Sequence, residues 1–266
     1  MVGALILAFG VALVSGQIGL EVETHPLTLR GVERAIDRAF VAELAGDFKG
    51  GRQALTRLLE SKPRPEEAAA RARLTAWLVS MRAREEAFAL SGRTARGYAQ
   101  AFSTLREFGP ERGQLLWQRA LRDLPQVRHR TPRVRVRFER LLSVKRDEVS
   151  VWLSPRLVAA GFALAEETDR NAHYELRMNL DARQAETRMA RTRVTVEGSF
   201  LLRRCDEEEQ VVASYAKRRA VVRRTEEAAR AFAVRRAVDD LAWAAIFRLR
   251  AASLRDAEPA DGERGL

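Results

Sequence analysis

The apolar residues of this chain change period once, near residue 130, and that change does most to limit the fold. From Gly31 to Leu124 they recur every three to four residues, with glycine or proline between the runs, which is the spacing of short amphipathic helices. In "RVRVRFERL" they alternate strictly, with Val134, Val136 and Phe138 on one side and Arg133, Arg135 and Arg137 on the other. Successive strand side chains point to opposite faces, so this stretch reads as a half-buried strand. Pro125 and Pro132 mark the change of regime in "LPQVRHRTPRV". An all-α helical-hairpin domain over 31–125 and an α+β domain over 133–250 are therefore predicted.

The second domain reads as β-α-β-β-β-β-α. A helix is predicted over Asp147 to Ala160 with Trp152, Leu153, Leu157 and Val158 as its apolar side, and Gly161 stands where a left-handed C′ residue belongs. Pro155 suits a first turn, so this helix is expected to start near Ser154. "FALAE" and "HYELRMNLDA" follow as strands, the latter setting Tyr174, Leu176, Met178 and Leu180 against Glu175, Arg177, Asn179 and Asp181. Two more strands flank the acidic turn "DEEE". Thr225 then caps a helix with Glu226 and Glu227 in its first turn and a stripe of Ala231, Val234, Val238, Leu241, Ala245 and Leu249. Antiparallel hairpins covered by two helices make a sandwich with a mostly antiparallel sheet and one open face. Residues 251–266 read as a disordered tail.

In the first domain "RAFVAELAGDFKGGRQALTRLLESKP" is the informative stretch. Ala39, Ala42 and Leu44 line one helix, "GDF" turns, Ala54, Leu55, Leu58 and Leu59 line a second, and Pro63 stops it. This pattern resembles one tetratricopeptide unit, whose two helices hide their apolar faces by stacking on neighbours; an unrelated helical bundle fits equally. Either way the module is expected to bind a protein partner.

Fourteen of the first twenty residues are apolar, and the first basic residue is Arg30. A helix of about 20 residues spans roughly 30 Å, so residues 1–22 are long enough for a membrane anchor. The four glycines and the dense block Ala4 to Val14 read instead as a signal peptide. Val14-Ser15-Gly16 offers a cleavage point between Gly16 and Gln17, and "LVSGQ" resembles a bacterial lipobox with Gln17 in place of the lipidated cysteine. The third reading is a buried core helix. The first two place the protein in the cell envelope, periplasmic or inner-membrane anchored, and the third leaves it cytoplasmic.

"LVAAGFALAEETDRNAHYELRMNLDA" resembles small envelope-assembly domains of Gram-negative bacteria, in which a helix ends in a glycine-aromatic pair and an "A-x-Y-x-L" strand opens a long hairpin. The matching points here are Gly161-Phe162, Ala172-Tyr174-Leu176, Val194 to Leu202, Val211 to Ala220 and the helix from Thr225. The families are the lipopolysaccharide-assembly lipoprotein, the penicillin-binding-protein activators and the amino-terminal domain of the Tol translocation protein. The resemblance implies a non-enzymatic, extracytoplasmic assembly role without a cofactor.

No catalytic motif competes with that expectation. His25, His129 and His173 are far apart, Cys205 is the single cysteine, and no G-x-S-x-G, P-loop or dinucleotide-binding glycine pattern occurs. Adjacent carboxylates such as Glu166-Glu167 point apart on a helix and form no dyad.

The charge is more informative. The chain is +11, and residues 127–224 carry 22 basic against 14 acidic groups, almost all of the basic ones arginine. Arg130, Arg133, Arg135, Arg137 and Arg140 are the candidate anion-binding residues. The three at 133, 135 and 137 project every ~6.6 Å from one side of a strand, a spacing suited to phosphates or a headgroup layer; the alternative is an edge strand whose arginines prevent edge-to-edge pairing. Anionic lipid or an envelope polymer is the expected partner of that face. The competing reading, a basic cytoplasmic nucleic-acid-associated protein, would want aromatics among the exposed arginines, whereas Phe138 and Tyr174 fall on the apolar side.

Overall fold

The computed structural model describes residues 27–257 apart from 106–107, 129–130, 189–190 and 206–209. The apolar opening with Gly16 and Gln17, Arg130, and residues 258–266 lie outside the described residues. Among those described, no helix is long and apolar enough to cross a membrane.

The helical half begins with α1 (Leu29–Ala45), where the Thr28 hydroxyl accepts the Gly31 N–H at 3.1 Å. Gly46 then turns the chain in the left-handed region at φ 101°, and the Asp47 carboxylate caps α2 (Phe48–Leu59) by accepting from Gly50 N–H at 2.8 Å. The hairpin expected at "GDF" therefore forms, and it ends ahead of Pro63. Helices α3 (Ala68–Ser91), α4 (Ala95–Thr104), α5 (Pro110–Asp123) and the single turn α6 (Pro125–Arg128) complete this half. They do not repeat the lengths of the first hairpin.

Trp77 is the centre of their core. Phe40 and Phe108 meet its ring edge-on at 5.6 and 4.8 Å, and the fully buried Arg84 guanidinium stacks on it at 4.5 Å. Arg84 is held by a two-pronged ion pair to Glu43 and donates to Thr104 at 2.9 Å. Burial pushes the Glu43 carboxyl above its ordinary value even though Arg84 pulls it down.

The second half is α+β in the predicted order: β1 (Arg133–Leu142), α7 (Arg146–Ala159), β2 (Ala163–Ala165), β3 (Tyr174–Arg188), β4 (Arg191–Arg204), β5 (Val211–Arg223) and α8 (Glu226–Arg255). The sheet order is β2-β1-β3-β4-β5. Strands β3, β4 and β5 form an antiparallel meander, and β1 runs parallel to both β2 and β3, so the sheet is mixed. Val134, Tyr174, Leu176, Met178, Leu180, Phe200 and Leu202 face the helices and are buried. The opposite face is open.

Two local expectations are corrected. Helix α7 does not restart at Ser154 but runs unbroken from Arg146 with Pro155 inside it. The carbonyl that Pro155 leaves without a donor belongs to Val151, which is 65% exposed and open to water, so the break is avoided. Val158, expected on the apolar side, is 55% exposed because Val149, Leu153 and Leu157 define a stripe that excludes it. Gly161 does take the left-handed conformation, at φ 94°.

The larger departure is α8. Thr225 caps it as expected, but Ala231 is exposed, and beyond Leu241 the helix is buried on nearly every side. Ala242, Ala245, Ile246 and Leu249 remain in the core under the sheet, while Phe247, Ala251 and Leu254 enter the core of the helical half. Residues 251–255, read from sequence as tail, are the last turn and a half of this helix. At ~1.5 Å per residue α8 is roughly 45 Å long, enough to serve both halves. Close approach is made possible by glycine: a Cβ on Gly198 of β4 would lie 2.7 Å from Leu241, and one on Gly113 of α5 would lie 2.2 Å from the Phe247 ring.

Candidate functional site

Alternation along the strands assigns polar residues to the open face, and register then aligns them across the sheet. One transverse row reads Arg140, Asn179, Ser199, Ala216 from β1 to β5. Its neighbour on one side reads Arg137, Arg177, Leu201, Ser214, and on the other Leu142, Asp181, Glu197, Arg218. Small side chains in the middle row leave a shallow groove of about 680 Å³, with Asn179 and Ser199 on its floor and Arg140, Arg183 and Arg218 around it.

Arg140 reaches this face through an irregularity. Strict alternation would send it to the opposite side from Arg133, Arg135 and Arg137; a bulge at Glu139 restores it, aligning Arg140 with Asn179. The displaced Glu139 carboxylate accepts Arg177 at 3.5 Å.

The other candidate arginines are drawn into internal ion pairs. Arg133 binds Asp169 at 2.5 Å. Arg135 binds Glu175 at 2.6 Å and also donates to the Asp169 carbonyl at 3.2 Å and to Cys205 Sγ at 3.7 Å. Arg137 stands 3.7 Å from the same Glu175, and Arg177 donates to it. Glu175 is thus a 3% exposed carboxylate among three guanidinium groups. Burial raises its pKa, and the hydrogen bonds from Arg177 and Arg135 more than offset this, holding it below the ordinary carboxylate value.

Inside the groove the two carboxylates are also engaged, Asp181 by Arg183 at 2.7 Å and Glu197 by Arg218 at 3.4 Å. Arg140 has no ion pair among the described residues. The groove therefore carries one uncompensated positive charge, Arg140, over a neutral hydrogen-bonding floor. Such a surface attracts anions and exchanges hydrogen bonds.

Sequence reasoning placed Arg133, Arg135 and Arg137 on one face, named Arg140 as a further candidate without the bulge that brings it there, and set Asn179 and Asp181 against the apolar side of their strand. It missed Glu175 as the counter-ion that holds three arginines, and it missed Arg183 and Arg218 as groove residues. Their signal was the polar half of each alternation, which names a face but not the partner strand.

No protein-family model and no curated protein matches the chain. Solved structures give partial likenesses. The chain is similar to a minor lipoprotein from Acinetobacter baumannii at 20% identity and TM-score 0.32, over 46% of this chain and 92% of that one. It is similar to protein XCC0632 from Xanthomonas campestris, of family DUF330, at 17% identity and TM-score 0.32, over 47% of this chain and 84% of that one. A putative lipoprotein from Caulobacter crescentus gives 17% identity and TM-score 0.29, over 46% and 93%.

Proposed function

We propose that the protein is a non-enzymatic assembly or scaffold protein of the cell envelope, periplasmic or anchored to the inner membrane. Its open sheet face engages an anionic envelope component, and its helical half engages a protein partner. The observation that supports this best is the groove over Asn179 and Ser199, where Arg140 has no counter-ion among the described residues while the other charges are paired. A surface of that kind recognises phosphate-bearing groups by charge and by hydrogen bonds at once, and binding should weaken with salt. The aromatic residues that would stack nucleobases, Phe138 and Tyr174, are on the helix-covered side, which favours headgroup or polymer phosphate over nucleic acid.

Flotation of the full chain with vesicles tests the reading. Vesicles containing phosphatidylglycerol should retain the protein at low salt and lose it by 0.5 M, roughly a Debye length of 4 Å. Pure phosphatidylcholine vesicles should not bind, and Arg140→Glu should weaken retention at least fivefold. Equal retention by neutral and anionic vesicles, or no effect of Arg140→Glu, overturns it.

A further inference from the structure

The sheet has two edges of unequal kind. On one side β2 offers three residues; on the other β5 offers thirteen, and among the described residues no strand pairs with its outer edge. Roughly every second N–H and C=O of β5 therefore points outward with no ladder partner, and an edge of that length is a template for another strand.

Its side chains say which strand. From Val211 to Arg224 there is no acidic residue, while Lys217, Arg218, Arg219, Arg223 and Arg224 are basic. Arg218 and Arg219 are occupied by Glu197 and Asp240. Lys217 and Arg223 have no ion pair among the described residues, and by register both stand on the helix side of the sheet with Arg219 between them. Arg223 stacks at 4.3 Å on Phe232 of α8, which holds it at the rim. On the other side of the strand Ser214, Ala216 and Ala220 are small, and Val211 and Val222 are 53% and 46% exposed at its two ends.

We infer that the outer edge of β5 is a docking edge for an extended, acidic segment of a partner protein, which adds to the sheet as a sixth strand. Main-chain hydrogen bonds supply affinity, and acidic residues at alternate positions face Lys217 and Arg223. The same charges reject a second copy of β5, since self-pairing would set like charges opposite one another. The edge is distinct from the groove and from the helical half, so this inference does not rest on the function proposed above.

Three ten-residue peptides test it by fluorescence anisotropy with the full chain. Alternating Glu-Val should bind at least tenfold tighter than alternating Lys-Val. Alternating Glu-Val with every backbone amide N-methylated carries the same charges but cannot donate ladder hydrogen bonds, and should also bind at least tenfold more weakly. Lys217→Glu with Arg223→Glu should reverse the preference toward Lys-Val, with an unchanged circular dichroism spectrum as the folding control. Bound Glu-Val peptide should slow amide exchange across 211–223. Equal binding of the N-methylated and unmodified Glu-Val peptides, protection elsewhere than β5, or an unaltered preference in the double variant each overturns the inference. Loss of vesicle binding by Arg140→Glu with peptide binding intact separates the two surfaces.

Discussion

Arg250 of α8 gives the sharpest test of how the two halves are joined. It is 1% exposed and has no carboxylate partner among the described residues. Its guanidinium donates to Gln114 Oε1 of α5 at 2.6 Å and to the Ala160 carbonyl at the end of α7 at 3.5 Å, and lies 5.1 Å from the Trp117 ring. Burial pulls its pKa from 12.5 down to about 10, which corresponds to a desolvation cost of about 3 kcal/mol. At neutral pH the group is charged in both folded and unfolded chains, so this penalty is fully present and eases only as pH rises past about 10. Against it stand one charge-assisted hydrogen bond of about 1.5–3 kcal/mol and a cation-π contact of about 1–2 kcal/mol. The terms nearly cancel. Arg250→Met, which keeps much of the volume and removes the charge, should therefore leave stability unchanged or raise it by up to about 2 kcal/mol, a Tm change of about 0 to +6 °C. Arg250→Ala empties the site between Trp117 and Ala160 and should cost about 2–4 kcal/mol. Urea unfolding at pH 7 and pH 9 measures both, with the same result expected at each pH. If Arg250→Met lost more than about 2 kcal/mol, Arg250 would be a net stabiliser and the desolvation reasoning would be wrong.

Other perturbations follow the same logic. Glu175→Gln leaves Arg135, Arg137 and Arg177 without their shared buried counter-ion; it should cost about 3 kcal/mol in urea unfolding and strengthen retention on phosphatidylglycerol vesicles. Gly113→Ala drives a methyl into the Phe247 ring, so it should lose about 1–3 kcal/mol, and Phe247→Leu in the same chain should restore part of that loss. Tyr98 is pushed up to about 12 by burial and by its hydrogen bond to Asp123. An acid whose folded pKa is raised keeps its stability below its unfolded value of 10 and loses it as pH rises toward 12. Tyr98→Phe should accordingly flatten the fall in stability between pH 10 and 12, read by circular dichroism during alkaline titration.

Much of the architecture was legible because period is a local property. "RVRVRFERL" and "HYELRMNLDA" declared their faces, Thr225 and Gly161 declared helix ends, and Gly46-Asp47 declared a turn. Pairing is not local, and so alternation was silent on β1 lying parallel to β3 rather than in a hairpin. The bulge at Glu139 was equally silent, since an extra residue becomes visible only against a partner strand. Arg133, Arg135 and Arg137 were legible as a face, but Asp169 and Glu175, outside that strand, decide that these three are held internally.

The misreading of α8 has a different cause, and it bears on what the molecule can do. An alanine-rich helix shows a weak stripe because alanine is at home on either surface, so a helix buried on all sides resembles one buried on a single side. In this chain the small residues are what allow Leu241 to approach the backbone of β4 at Gly198 and Phe247 to approach α5 at Gly113. Two sequence regions that look like separate domains thereby share one rigid member. The open face, the β5 edge and the helical half are consequently presented in fixed relation, since moving one against another would expose Phe247, Ala251 and Leu254 and leave the Arg250 guanidinium without Gln114. Under the assembly function proposed above, such fixed spacing would set the distance between the components joined, whereas two domains on a flexible linker would tether them without setting it.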